Sequence, residues 1–166
     1  SMKFLFMLFH LLSILFFWSC ESAGPGSSQE VLPGDDPNFK IVANEDGVLK
    51  GYNRKVEVFG ISIYAVAAVE DKKLLHAANV MAQYLDNDED GEVDNEQVLA
   101  KMKEKKAFMV MWKKEKDLRV NIPRGWEGQD LGNDETHPDF VSGSLSGPFD
   151  ASLEEVLHII THAGYA

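Results

Sequence analysis

Two apolar patterns in the first half of the chain predict a strand region that leads into a helix. Residues 56–69 are dominated by Val, Ile, Ala, Phe and Tyr, with Gly60 inside the run. This composition predicts one strand, or two strands separated at Gly60, buried on at least one face. A helix is expected to begin at Asp71, because apolar residues then recur at helical spacing. These residues are Leu74, Ala78, Met81 and Leu85.

The second half of the chain continues this mixture of helices and strands. Residues 95–106 are expected to form a second helix, and strands are predicted at residues 108–112 and 118–122. Residues 123–148 show little periodicity but keep several apolar positions, which predicts a long ordered surface loop. We therefore expect a mixed α+β domain with a small mixed sheet, into which a helix–loop–helix unit is inserted.

The last helix is expected over residues 151–163. Ser152 and Glu155 match a capping box at its start, and Gly164 is expected to end it. A rotation of about 100° per residue divides this helix into an apolar and a polar side. The apolar side comprises Leu153, Val156, Leu157, Ile160 and Ala163, and the polar side comprises Glu154, Glu155, His158, Thr161 and His162.

The N-terminus has the composition of a targeting segment. A lysine precedes an apolar run at residues 4–18, and small residues follow. This order predicts a signal peptide over residues 1–22, since the run is too short to span a membrane comfortably. Residues 23–38 are rich in Gly, Pro, Ser and acid, and are expected to be a flexible linker. The remainder, residues 39–166, is expected to form one α+β domain.

The residues around Cys20 indicate how the protein leaves the cytoplasm. The segment Phe17-Trp18-Ser19-Cys20 resembles the lipoprotein box of bacterial lipoproteins, which implies that Cys20 carries a lipid anchor. Ordinary signal-peptidase cleavage near Ala23 is the alternative. Both alternatives predict an extracytoplasmic protein, either secreted or lipid-anchored at the cell surface, and the anchor would be its sole contact with a membrane.

Charge and cysteine content exclude several classes of function. The 166 residues carry a formal net charge of -11, which argues against nucleic-acid binding and against docking onto an anionic membrane surface. Cys20 is the single cysteine. An intrachain disulfide and a four-cysteine zinc site are therefore both excluded.

The acidic segment at residues 86–97, here called the acidic loop, has the spacing of a calcium-binding loop. Alternating aspartates can direct every second side chain toward one point, and calcium requires six to eight oxygen ligands. The pattern resembles an EF-hand loop. That resemblance implies side-chain ligands from Asp86, Asp88 and Asp90 and a sharp turn at Gly91. It also implies a backbone-carbonyl ligand from Glu92, a ligand through water from Asp94 and a final side-chain ligand from Gln97.

Two features of the acidic loop change the expected role of the calcium. Gln97 occupies the last place, where EF-hands have a bidentate glutamate, so weaker binding is expected. A second such loop is missing from the sequence, which favours a static clamp over a sensor. The alternative interpretation is a solvated acidic turn, in which Asp94 and Gln97 cap the next helix.

The polar side of the last helix is the second candidate metal site. His158 and His162 are spaced so that both can bind one zinc ion. The segment from Glu154 to His162 resembles the active-site helix of zincin metallopeptidases, which implies that the two histidines are zinc ligands. Zincins have a glutamate directly after the first histidine, whereas this chain has Ile159. Glu155 or Glu154 would then act as the base on a zinc-bound water.

The sequence offers alternative sources for the third zinc ligand and two hypotheses for the function. Either the domain continues beyond Ala166 and supplies the ligand there, or His137 or Asp139 supplies it. Alternatively, the polar side is a solvated helix face. His76 is expected to be a surface or packed histidine and not a ligand. The first hypothesis is an exported zinc-dependent hydrolase that acts on peptides and has a structural calcium site. The second is a non-catalytic calcium-binding module of a surface lipoprotein.

Overall fold

The computed structural model describes residues 39–45, 47–118, 121–140 and 147–165. Within them the chain forms five strands and three α-helices, which confirms the α+β class. The predicted signal peptide, the linker and Cys20 lie outside the described residues. In chain order the elements are β1 (Val42–Ala43), β2 (Arg54–Val58), β3 (Ile61–Ala65), α1 (Asp71–Leu85), α2 (Glu96–Glu104), β4 (Phe108–Trp112), β5 (Gly128–Gly132) and α3 (Ser152–Gly164).

The five strands form one mixed sheet in the order β1-β2-β3-β4-β5. The first three strands are antiparallel neighbours, whereas β4 is parallel to β3 and β5 is parallel to β4. A parallel neighbour requires a long crossover, because a short turn reverses the chain direction. The crossover from β3 to β4 consists of α1, the acidic loop and α2. The expected helix–loop–helix insertion is therefore confirmed.

The turn between β2 and β3 shows why two strands form in the predicted strand region. Val58 pairs with Ile61, so Phe59 and Gly60 form a two-residue hairpin turn. Both turn residues have positive φ, 48° at Phe59 and 85° at Gly60. Two-residue turns of this kind match the twist of antiparallel strands, and glycine at the second position adopts the required backbone freely.

The core lies mainly between the sheet and the helices. Ile61, Ile63 and Ala65 of β3 belong to a buried cluster that includes residues of all three helices. The alternating residue Tyr64 belongs to a second cluster with Phe108, whose other members are strand residues and residues between strands. Because successive strand side chains point to opposite faces, the three helices pack on one face of the sheet. The opposite face is free of helices in the described part of the chain.

The prediction of a strand at residues 118–122 is wrong for those residues of the range that the structure describes. Leu118 directly follows a 3-10 turn at Glu115–Asp117, and its side chain packs against the second cluster without strand pairing. The fifth strand is instead β5, within the region predicted to be a loop. Its pairing with β4 makes it the edge of the sheet.

The predicted capping box of the last helix is also wrong. The Ser152 hydroxyl donates a hydrogen bond to Asp150 at 2.7 Å, and Ser152 itself is the first helical residue. The Glu155 carboxylate accepts a hydrogen bond from Gln129 of β5. Ser152 therefore bonds to a residue two positions before it, and Glu155 bonds to a distant partner on β5.

The apolar face of α3 is rotated relative to the prediction. Leu157 was expected to be buried but is 42% exposed, whereas Ile159 is 1% exposed. This helix packs against α1, α2 and β5, so its buried surface is broader than a single stripe. It ends at Gly164, as expected. A Cβ atom there would lie 2.5 Å from Val98 Cγ1, so glycine allows α2 and α3 to approach closely.

Candidate functional site

The acidic loop joins two well-packed helices, which fix its ends. Asp86 is the C-cap residue of α1, and its backbone N–H donates to Ala82 O at 2.8 Å. At the other end the Asn95 side chain accepts from the backbone N–H groups of Gln97 and Val98. Asn95 is thus the N-cap of α2, and the predicted cap at Asp94 is wrong. The loop position follows from the packing of α1 against β2 and β3 and of α2 against α3.

The Asp86 carboxylate organises the first half of the loop. Its Oδ1 accepts a hydrogen bond from the Asp90 N–H at 3.2 Å, and its Oδ2 accepts from the Gly91 N–H at 2.8 Å. Asp86 is only 7% exposed. Gly91 has a φ of 90°, a left-handed conformation that turns the chain sharply and favours glycine. The loop is therefore folded around one nearly buried carboxylate.

Three of the predicted ligands converge. Asp86, Asp88 and Asp90 each provide a carboxylate oxygen, and the three oxygens lie within 4.8 Å of one another. In the described part of the chain, this is the only group of three or more histidine, cysteine or acidic side chains with that proximity. The charge of Asp90 is the largest cause that raises the pKa of Asp88 above its usual range, and desolvation acts in the same direction. Close negative charges of this kind are stabilised by a cation.

The remaining predicted ligands do not belong to this group. Asp94 Oδ2 accepts a hydrogen bond from the Asn87 N–H at 2.9 Å, a contact that joins the two ends of the loop. Glu92 is exposed, and its N–H donates to Asp90 Oδ1 at 2.8 Å. Gln97 lies exposed in the first turn of α2. The structure brings together three carboxylates, and the carboxylates of Glu92 and Asp94 do not join that group.

The histidine face of α3 is exposed, as predicted. His158 Nδ1 lies 3.3 Å from Glu155 Oε2, and its Nε2 lies 3.8 Å from Glu154 Oε1. His162 Nε2 instead lies 3.2 Å from Glu127 Oε2, just before β5. The two imidazoles therefore contact different carboxylates.

The structure does not bring a third zinc ligand to this face among the described residues. None of His158, His162 and His137 belongs to a group of three metal-ligand atoms within 4.8 Å there. The His137 N–H donates to Asp150 Oδ1 at 3.0 Å, and its side chain lines a separate cleft with Asp139. The other expected source, a continuation of the domain beyond Ala166, lies outside the described residues.

Sequence reasoning missed a buried network at Asp150. This residue is 2% exposed, and its Oδ2 lies 2.7 Å from both His76 Nε2 and Ser152 Oγ. Burial acts to raise the pKa of Asp150, but hydrogen bonds from His76, the His137 amide and Ser152 hold that pKa below its usual range. Because the serine hydroxyl bonds to the carboxylate and not to an imidazole, the network joins α1 to α3 and does not activate a nucleophile.

Comparisons with known proteins yield no relative for this chain: no protein-family model, curated protein or solved structure matches it. The candidate sites therefore depend on residues and geometry alone. Among the described helices, none combines the length and apolar character needed to cross a membrane.

Proposed function

We propose that this protein is an exported calcium-binding protein whose acidic loop binds one calcium ion. The observation that carries the proposal is the convergence of Asp86, Asp88 and Asp90 in a loop held between two helices. Three carboxylates supply hard, charged oxygen ligands, which calcium prefers. Export follows from the predicted signal peptide at residues 1–22. The exported protein is then either secreted or held at the cell surface by a lipid anchor on Cys20.

The other ligands proposed for the ion follow the EF-hand resemblance. The Glu92 backbone carbonyl and a water held by Asp94 would join the three aspartates. Gln97 would supply at most one neutral amide oxygen, in place of the bidentate carboxylate of an EF-hand. We therefore expect a dissociation constant of about 0.1–1 mM, the range of extracellular calcium modules. Such a site would be filled outside the cell and largely empty in the cytoplasm.

The role proposed for calcium is structural. Val98 lies in the first turn of α2 and packs against Gly164 at the end of α3. Half-buried Val93 packs from the acidic loop against the main core. An ion that fixes the loop would therefore fix the start of α2 against α3. A sensor would couple two calcium sites, whereas the sequence contains one loop of this kind.

A calcium titration followed by 1H–15N NMR tests this proposal. The Asp90 and Gly91 amides donate to Asp86 oxygens, so ion binding at Asp86 should shift both signals strongly. We expect saturation at one calcium per chain, with magnesium much weaker because it demands a rigid octahedral site. Absence of shifts at these two amides at millimolar calcium would show that the loop is a solvated turn.

A zinc-dependent hydrolase of zincin-like type is the second candidate function. It is supported by the exposure of His158 and His162 on one face of α3, with Glu154 and Glu155 within 3.8 Å of His158. In this candidate the histidines would bind zinc, and Glu155 or Glu154 would take a proton from water during peptide hydrolysis. The described residues offer no third ligand close to the pair, so the calcium-binding function has the stronger support.

Zinc analysis of the purified protein tests the second candidate. We expect bound zinc, together with hydrolysis of a mixed peptide library, to disappear in the double variant His158→Ala/His162→Ala. His137→Ala tests one source of a third ligand, because it removes zinc only if His137 is a ligand. A zinc-free protein that still binds calcium would eliminate the hydrolase and leave the calcium module.

A further inference from the structure

A small cleft lies on the helix-free face of the sheet and shares no lining residue with either candidate metal site. It has a volume of about 260 Å³ and opens near the starts of β3 and β4. Its lining includes the β2–β3 turn, the end of α2 and the segment before β5. The polar, charged and aromatic residues of the lining are Ser62, Tyr64, Lys103, Lys106, Phe108 and Trp126.

The floor of the cleft is a rigid aromatic cluster. Phe108 makes edge-to-face contacts with Tyr64 at 6.2 Å and with Trp126 at 5.7 Å between ring centroids. Tyr64 and Phe108 are 3% and 1% exposed, so their orientations are fixed by packing. A Cβ atom at Gly128 would lie 2.5 Å from Phe108 Cζ, so the Phe108 ring occupies the space that a side chain at Gly128 would need. Half-buried Trp126 presents the accessible aromatic surface.

Two lysines form the rim. Lys106 Nζ lies 5.7 Å from the centroid of the Trp126 ring. Lys103 lines the same cleft beside the β2–β3 turn, with its Cε 3.1 Å from the Cβ position of Gly60. No acidic partner of Lys103 or Lys106 occurs in the described ranges. The two ammonium groups are thus available to an anion.

The backbone at Lys106 carries a conformational cost. Its φ is 50°, and the Ala107 N–H donates to Met102 O while the Lys106 N–H donates to Lys103 O. This pair of hydrogen bonds ends a helix with a left-handed residue, and glycine is strongly preferred at that position. A lysine here is held in a strained conformation that places its charge over Trp126. Strained positions of this type concentrate at binding sites.

The charge of the cleft is opposite to that of the chain. The whole sequence carries -11, yet the cleft lining contains two lysines and no acid. The neighbouring acids have other partners: Glu57, opposite Ser62 on β2, lies 2.9 Å from Lys55 Nζ, and Glu127 lies 3.2 Å from His162. The cleft is therefore a local positive site in an acidic protein.

We propose that this cleft binds a small organic anion that has a flat apolar ring. The ring would stack on Trp126, and the anionic group would lie between Lys103 and Lys106, within reach of the Ser62 hydroxyl. The volume lies just below the usual range for ligand sites of roughly 300–1,000 Å³, which restricts the ligand to about one ring. This cleft contains none of the acidic-loop residues.

Benzoate, neutral benzamide and cationic benzamidine test the proposal, because they share one ring and differ in charge. We expect benzoate to shift the Trp126 indole N–H and the Lys106 amide in the presence of calcium. Benzamide should bind more weakly and benzamidine least. The double variant Lys103→Gln/Lys106→Gln should weaken benzoate by about fivefold or more and leave benzamide nearly unchanged. Lys101→Gln, a change on the same helix outside the cleft, should leave both unchanged.

Lys106→Gly separates binding from folding. It relieves the left-handed backbone, so the variant should melt at no lower temperature than the parent protein while it binds benzoate more weakly. Equal affinities for benzoate and benzamidine, or benzoate shifts that avoid Trp126, would overturn the proposal. So would full benzoate affinity in the double lysine variant.

Discussion

The substitution Asp88→Asn should have opposite effects on stability with and without calcium. Asp88 is one of the three convergent carboxylates and lies exposed at the surface of the loop. Asparagine keeps the size and one oxygen of the side chain but removes its charge. With calcium the variant loses a charged ligand. Without calcium it loses the repulsion from Asp90 that raises the pKa of Asp88 in the folded protein.

The expected magnitude follows from ligand linkage. A site with a dissociation constant of about 0.1 mM in about 10 mM calcium stabilises the fold by about 2.7 kcal/mol. For a domain of this size, that stabilisation corresponds to a rise of about 10 °C in Tm. If Asp88→Asn weakens calcium binding by about tenfold, the calcium-dependent rise should fall to about half. In chelator the variant should melt at the same temperature as the parent protein or slightly above it, since a charge that disfavours folding at neutral pH has been removed.

Thermal unfolding monitored by circular dichroism, with calcium and with chelator, measures both effects. Glu89→Gln is the matched control, because it removes the same charge from the next residue, which lies outside the convergent group. We expect this control to retain nearly the full rise in Tm. An equal loss of Tm for Asp88→Asn in both conditions would refute calcium ligation and identify Asp88 as a residue of a solvated turn.

Two further substitutions test the packing around the sites. Asp150→Asn should lower the free energy of unfolding by about 1–3 kcal/mol near pH 7. Because the folded pKa of Asp150 is depressed, its stabilisation is present above the usual value of 3.8 and is lost as pH falls through the folded pKa. Urea unfolding near pH 7 and near pH 2 should therefore show a smaller effect at the lower pH, and equal effects would contradict this. Gly128→Ala should cost about 1–3 kcal/mol in thermal unfolding, because its Cβ would overlap Phe108. Gly51→Ala, with no atom within 4 Å of the new Cβ, should cost far less, and equal costs would disprove the tight packing.

The helix–loop–helix unit could be predicted because its signals are local. Apolar spacing predicts α1 from Asp71, and the structure has this helix at Asp71–Leu85. The alternation of aspartates predicts that their carboxylates point toward one place, and three carboxylates do converge. The cap of α2 was predicted one residue too early. Both Asp94 and Asn95 are good caps, and only the folded loop shows that Asp94 is held by the Asn87 amide.

The elements that sequence could not reveal depend on distant partners. β5 contains two glycines and one buried apolar residue, Leu131, so it has little intrinsic strand character. It forms because β4 pairs with it, and Trp112 Nε1 donates to Asp130 Oδ2 at 2.9 Å. Likewise, Asp150 has no periodic signal, and its partner His76 is 74 residues away in the chain. Tertiary contacts decide these features.

Anomalous diffraction from crystals grown with calcium tests the central proposal most directly. We expect one calcium peak at the acidic loop, about 2.3–2.6 Å from carboxylate oxygens of Asp86, Asp88 and Asp90. The peak should vanish or weaken in Asp88→Asn crystals grown under the same conditions. An acidic loop without a peak at millimolar calcium, or a peak that persists unchanged in the variant, would contradict the proposed calcium site.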